Sequence, residues 1–509
     1  MKKYRFLLLL FLPFFISGCN EWLNVKPEDE IDEEDLFDSA DGFRHALNGI
    51  YYTMGTGNLY GMNMSWGIVD ALGQVYDYSY GSSELNAMER GAAAYSWDNE
   101  YLKPKIESMW DETYNIVANC NNLIKNIENT DPAMFPLKNR EKSMIWGEAL
   151  GLRAFLQFDM LRLFAPAPVA QPGGRKFIPY INVYPSYISN PKTVDECLTL
   201  IIEDLKEAKK LLWQIDTAKS FSPSVTFETP GNGDNIFFTR RGYHMNYWAA
   251  TALLARVYLY AQKETEALEQ ANEIITFVAK NRAFPFSTSS GGSKLYRDVI
   301  FGLYVIDLPE LNQKINDITD EKIATFLCIS EIEGNYFGSD LTYDDKIETF
   351  KSNDSRYMNG IDDWKNYNSY YRLKKYDVPT TGGSTAIEIS KTLLPLIRMS
   401  EIYYMAAEIL AEKDADGLAK AKTYLNYVKE GRGLRKTDQS IKDVNNATLE
   451  EFNHLLINDM RRDWIGEGQT FYLYKRLNKN IPSERGKTIE AKEENFVVPV
   501  PNSETNINK

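Results

Sequence analysis

The sequence predicts a mainly α-helical fold, a degenerate scaffold of helix pairs interrupted by long irregular insertions. Three observations predict it. Residues 144–169 carry two adjoining apolar stripes at helical spacing: Ile145, Ala149, Leu152, Leu156, Met160 and Leu163, then Trp146, Leu150, Ala154, Phe158, Leu161 and Phe164. A helix apolar on two faces packs between other helices rather than on a surface. Two later stretches, 243–279 and 398–433, each read as a helix, a short turn and a second helix. Between the periodic stretches, about 55–104 and 281–391 are dense in Gly, Tyr, Asn and Asp without a sustained period. Such composition favours turns and exposed aromatics over core elements.

Taken in order, the chain opens with Lys2, Lys3 and Arg5 ahead of an apolar run from Phe6 to Ile16. That run is too short for a membrane helix and suits the core of a signal peptide. It ends in Ile16-Ser17-Gly18-Cys19, which resembles a bacterial lipobox. Residues 1–18 therefore read as a lipoprotein signal peptide and Cys19 as the lipidated residue. Several acyl chains hold a protein stably where one alone is marginal. The acidic stretch 19–37 reads as a lipidated tether, and 38–509 as a single helical domain.

Within that domain a helix is expected over 38–53, weakened by Gly42 and Gly49. Another spans 105–127, with Ile106, Trp110, Tyr114, Val117, Cys120, Ile124 and Ile127 on one face. The 144–164 helix stops at Pro166 and Pro168, because proline lacks the amide and biases the preceding residue away from helix. Arg153 with Gln157, and Asp159 with Arg162, sit one turn apart and are expected to pair locally. After a proline- and glycine-rich crossover, Thr193 and Glu196 form a capping box that starts an amphipathic helix to Leu212. Ala255, Tyr258 and Ala267 have the small-aromatic-small spacing of a tetratricopeptide repeat, which Ala406, Ile409 and Ala419 repeat one residue longer. Stacked pairs present a surface and do not of themselves imply catalysis.

Composition narrows the function. With 71 acidic against 57 basic residues the chain carries a charge of −14, which excludes nucleic acid or anionic lipid as its main partner. Cys120, Cys197 and Cys328 are odd in number and form no CxxC, so neither a disulfide framework nor a zinc site is expected. His45, His244 and His454 have no partner at metal-ligand spacing, and GxSxG, P-loop and GxGxxG motifs are absent. No cofactor and no enzyme activity are expected, although two carboxylates across a cleft suffice for glycoside hydrolysis.

Five stretches in this order resemble the SusD/RagB family of Bacteroidetes outer-membrane nutrient-binding lipoproteins. They are the lipobox with Leu23 and Pro27, the long apolar helix (family pattern LRAFxYFDLVRLFGDVPL), the segment from Ile201 (IIxDLxEAxxLLP), ALLARVYLY at 252–260, and the pair at 396–433. Arg461, Arg462, Glu467, Gly468, Lys475 and Arg476 match the pattern RxxExxxEGxRWxDLxRW, with Thr470 in place of an arginine and Leu473 in place of an aspartate. The resemblance implies a lipid-anchored, surface-exposed outer-membrane protein that binds a polysaccharide or oligosaccharide and delivers it to a TonB-dependent β-barrel transporter. A surface glycoside hydrolase and a purely structural surface lipoprotein are the alternatives.

Sugar rings have apolar faces that lie flat on aromatic rings, and hydroxyls that need amides and charges nearby. The ligand site is therefore expected on Tyr95 and Trp97 in the first irregular region and Tyr336 and Trp364 in the second, with Asn99 and Arg90 supplying hydrogen bonds. The resemblance favours Trp97, because the family has a comparable aromatic-plus-Asn segment just before the helix that starts near Lys105. The competing reading is that these rings pack the insertions onto the scaffold.

Overall fold

The computed structural model describes residues 36–78, 84–187, 189–218, 222–226, 236–286, 296–316, 328–329, 353–364, 370–378, 384–483, 488–502 and 504. The helices that matter here are α1 (Ala40–Met54), α2 (Glu84–Ala93), α3 (Lys103–Asn129), α4 (Asn139–Phe164), α5 (Val194–Asp216), α6 (Tyr247–Tyr260) and α7 (Glu264–Asn281). The C-terminal part adds α8 (Met399–Ala411), α9 (Ala415–Gly431), α10 (Leu449–Asp463) and α11 (Thr470–Leu477). From α3 to α9 each helix packs on the next, so the pairs stack in chain order and bury one another's apolar faces.

The two-faced stripe of α4 is explained by its position. Every residue from Gly147 to Phe164 is buried, between α3 and α5. A Cβ on Gly147 would lie 2.8 Å from Leu212 Cγ, so glycine permits the close approach of α5. The expected local pairing holds for Arg162, whose Nε donates to Asp159 at 3.1 Å. It fails for Arg153 and Gln157. Arg153 forks onto Asp204 at 2.7 and 2.6 Å and reaches Asn121 at 2.7 Å, while Gln157 holds both backbone groups of Ile181. Buried polar groups take the partners that tertiary packing supplies, and those lie on neighbouring elements here.

Helix ends follow local chemistry. Thr193 and Glu196 form the expected capping box, with Thr193 N–H donating to Glu196 at 2.8 Å. α6 begins later than its periodicity predicts, because Asn246 accepts the amides of Trp248 and Ala249 at 2.8 and 2.9 Å and so sets the N-terminus. Cys120 and Cys197 are buried free thiols, as their apolar faces imply.

Both insertions depart from expectation. The first is not a display of exposed aromatics. Tyr60, Met64, Trp66 and Tyr76 are buried, and a short helix, Ile68–Leu72, lies wholly in the core. The turns are real, but their polar rings find partners inward: Trp66 donates to Gly61 O at 2.8 Å and Tyr60 to Asp159 at 2.8 Å. The second contains ordered strands. Val299–Tyr304 pairs antiparallel with Leu393–Arg398, and Tyr370–Leu373 lies between Ile361–Trp364 and Cys328–Ile329.

The C-terminal stretch closes the core through charge. Glu467 accepts Arg398 and Lys375 at 2.6 and 2.7 Å; Asp463 accepts Arg432 at 2.8 Å; Asp459 accepts Arg356 at 3.1 Å. All of these side chains are buried. Arg476 forks onto Glu408 of α8 at 2.6 and 2.7 Å. The two departures from the family pattern, Thr470 and Leu473, are also buried.

Candidate functional site

The chain between α2 and α3 turns sharply. Tyr95 takes a positive φ of 53°, Ser96 N–H returns to Gly91 O at 2.9 Å, and Asn99 N–H to Ser96 O at 2.9 Å. Leu102 at the start of α3 has no side chain able to cap it, so Asn99 serves instead, its Oδ1 accepting the amides of Tyr101 and Leu102 at 3.0 Å each. The Asn99 side chain lies against Gly91, where a Cβ would meet Asn99 Cγ at 2.9 Å.

This turn brings together the residues expected of the first region. Tyr95 and Trp97 meet edge to face with ring centroids 5.9 Å apart. The Tyr95 hydroxyl donates to Leu72 O at 2.6 Å, and burial pushes its pKa up. That hydroxyl is spent on holding the turn to the core. Trp97 is half-buried, its indole N–H donating to Glu494 O at 3.0 Å. Asn99 has its carbonyl occupied by the cap and keeps its NH2 end for other partners. Arg90 stands in the last turn of α2, partly buried and next to the Gly91 on which Asn99 rests.

In the second region, Trp364 closes the strand Ile361–Trp364 and pairs through its backbone with Tyr370. Tyr336 lies outside the described residues, as does Cys19. Sequence reading missed Glu494 as the anchor of Trp97, because a backbone acceptor 397 residues away leaves no local signal.

His454 lines a groove of about 850 Å³ between α10, Tyr474 of α11 and the hairpin strands at Ile481–Pro482 and Thr488–Ile489. Its ring stands 3.4 Å from the Asn458 amide. Among the described residues no group of three His, Cys, Asp or Glu side chains could hold a metal ion, and no helix is long and apolar enough to cross a membrane.

Similar proteins share both sequence and fold. The sequence profile of the SusD family matches residues 333–509, and one described as "Starch-binding associating with outer membrane" matches residues 21–224. SusD-like protein P25 of Formosa agariphila is 20% identical over 508 residues, covering 89% of this chain and 86% of that protein. A SusD superfamily protein of Bacteroides thetaiotaomicron superposes with a TM-score of 0.63 at 22% identity, covering 92% of this chain and 98% of that one. A laminarin-binding SusD-like protein superposes at 0.56 and 18% identity, covering 92% and 97%. Profiles matching both ends and a fold shared along the helical stack agree with the motif order: the chain belongs to the SusD/RagB family.

Proposed function

We propose that the protein binds a glycan at the cell surface and delivers it to a TonB-dependent outer-membrane transporter, held to the membrane by lipid on Cys19. Trp97 carries the reading. It is a half-buried indole fixed in orientation by Glu494 and Tyr95, with the free NH2 of Asn99 two residues on. A rigid ring offers a sugar an apolar platform at little entropic cost, and the amide supplies a donor for a hydroxyl. The same reading takes Trp364 and Tyr336 of the second insertion, and Arg90 at the end of α2, as further ligand contacts. The starch-binding description of the N-terminal profile and the laminarin-binding neighbour support a polysaccharide ligand. The protein acts as a hinged lid on its transporter and releases the glycan unchanged.

Gel retardation in starch and laminarin tests this reading. Trp97→Ala combined with Trp364→Ala is expected to weaken retention about tenfold or more at an unchanged melting temperature. Retention equal to wild type sinks the platform, and a fall in melting temperature assigns the rings to packing. New reducing ends in the incubated glycan would make the protein a hydrolase. Co-purification with the neighbouring transporter from outer membranes tests delivery.

A further inference from the structure

A groove of about 550 Å³ runs along the outer side of α3, and its lining shares no residue with the Trp97 cluster. One wall is α3 itself. Asp111, Asn115 and Asn119 recur every fourth residue, so they form a single line of polar groups along the helix, all exposed. At 1.5 Å per residue that line is about 12 Å long. Ala118, beside it, leaves room at the floor. The facing wall is the crossover between α4 and α5, which contributes Tyr184 and Tyr187.

The groove is held open before any ligand arrives. The base of the crossover is pinned by Gln157 and Asn121, which donate to Ile181 O at 3.1 Å each, and by Tyr114, which donates to Pro179 O at 3.1 Å. Yet Tyr187, on the same strap, is 89% exposed. It is an outward-facing aromatic further along the strap than the pinned base, a placement that folding alone does not require. The amides are half-used as well. Asn119 Nδ2 approaches Asn115 Oδ1 at 3.4 Å, which leaves an NH2 donor at Asn115 and a carbonyl acceptor at Asn119 facing the groove.

We propose that this groove is a second oligosaccharide site, in which the tyrosine rings carry the apolar face of a short sugar chain and the Asp111–Asn115–Asn119 line binds its hydroxyls. The inference rests on the glycan-binding reading and adds a second place of contact. The chemistry fits a neutral polyhydroxylated ligand. Donors and acceptors alternate along one wall, Tyr184 and Tyr187 with Ser186 and Ser189 form the other, and Glu504 also lines the groove. The nearby cation of Lys125 is engaged over the Tyr184 ring at 5.5 Å. An anionic ligand would need free cations there, and an apolar peptide would leave the amides unpaired. Two contacts on one chain raise the avidity for a long polysaccharide without a tight individual site, which suits a ligand that must be passed on.

Calorimetric titration of the full chain in detergent with starch- and laminarin-derived trisaccharides tests the proposal. Short sugars are expected to bind with a second equivalent per chain. Tyr187→Ala combined with Asn115→Ala should abolish that equivalent or weaken it about tenfold, at an unchanged melting temperature, since both side chains are exposed. Ala118→Trp, which fills the floor and removes no polar group, should do the same. In Trp97→Ala the groove's equivalent should survive. A single equivalent that depends on Trp97 and ignores both groove variants overturns the second site and leaves the glycan-binding reading standing. Failure of the wild-type chain to bind either sugar overturns both.

Discussion

The carboxyl of Asp70 accepts the backbone N–H of Gly468 at 2.9 Å, joining residues 398 apart in sequence. Asp70 lies in the buried helix of the first insertion, and Gly468 in the turn between α10 and α11. The contact ties the N-terminal insertion to the C-terminal charge network, because Glu467 beside it holds Arg398 and Lys375. Burial pushes the Asp70 carboxyl from 3.8 up to about 8, against the opposing pull of the Gly468 amide and Lys375.

The sign of the resulting pH dependence follows. Between about pH 4 and pH 8 the unfolded chain has Asp70 ionised while the native chain keeps its proton, so this group's contribution to stability falls as pH rises through that window. Asp70→Asn retains an acceptor for Gly468 and cannot ionise. Relative to wild type, the variant is expected to gain up to a few kcal/mol between pH 5 and pH 8. Denaturant unfolding at the two pH values measures the gain, and a variant that loses ground as pH rises would contradict the assignment.

Gly468 itself cannot be replaced cheaply. Its φ is +69°, and a Cβ would meet the Cα and O of Ser65 at 2.8 Å, both backbone atoms with little room to move. Gly468→Ala is expected to cost about 2 kcal/mol or more. Gly49, in the interior of α1 with nothing within 4 Å of an added Cβ, is the control. There alanine should stabilise by about 0.5–1 kcal/mol. Thermal unfolding of the two variants should move in opposite directions.

Glu148 of α4 is buried among Arg241, Tyr51 at 2.6 Å and His244 at 3.1 Å, and Arg241 also forks onto Asp216 at the end of α5. Burial alone would raise its pKa, but Arg241 and His244 outweigh burial and hold the carboxyl down at about 2. A depressed folded pKa contributes stability above about 4.5 that is lost as pH falls through about 2. Glu148→Gln removes one of the two carboxylates on the buried Arg241, which keeps Asp216, and is expected to cost about 3 kcal/mol at pH 7. The gap should narrow at pH 3. Denaturant titrations at both pH values check this, and an equal loss at each would rule out the ionic origin.

The proposed lipidation at Cys19 predicts that Cys19→Ala leaves an uncleaved or mislocalised precursor. Detergent phase partition decides it. A variant that still partitions as a mature lipoprotein refutes the anchor assignment.

What the sequence by itself determined are features governed by neighbours along the chain. The stripes of α4, the Thr193 capping box, the helix–turn–helix layouts and the charge balance were all legible, because helical periodicity and capping act over three or four residues. Family membership was legible too, through the order of motifs. Tertiary structure alone decided where polar groups end. Arg153 left its helix-mate for Asp204, and Tyr95 spent its hydroxyl on Leu72. Trp97 found Glu494, and the aromatics at 60 and 66 turned into the core rather than out. Composition specifies that such a stretch will turn. It cannot specify which side faces solvent, because a buried ring and an exposed one differ only in what the rest of the chain places against them.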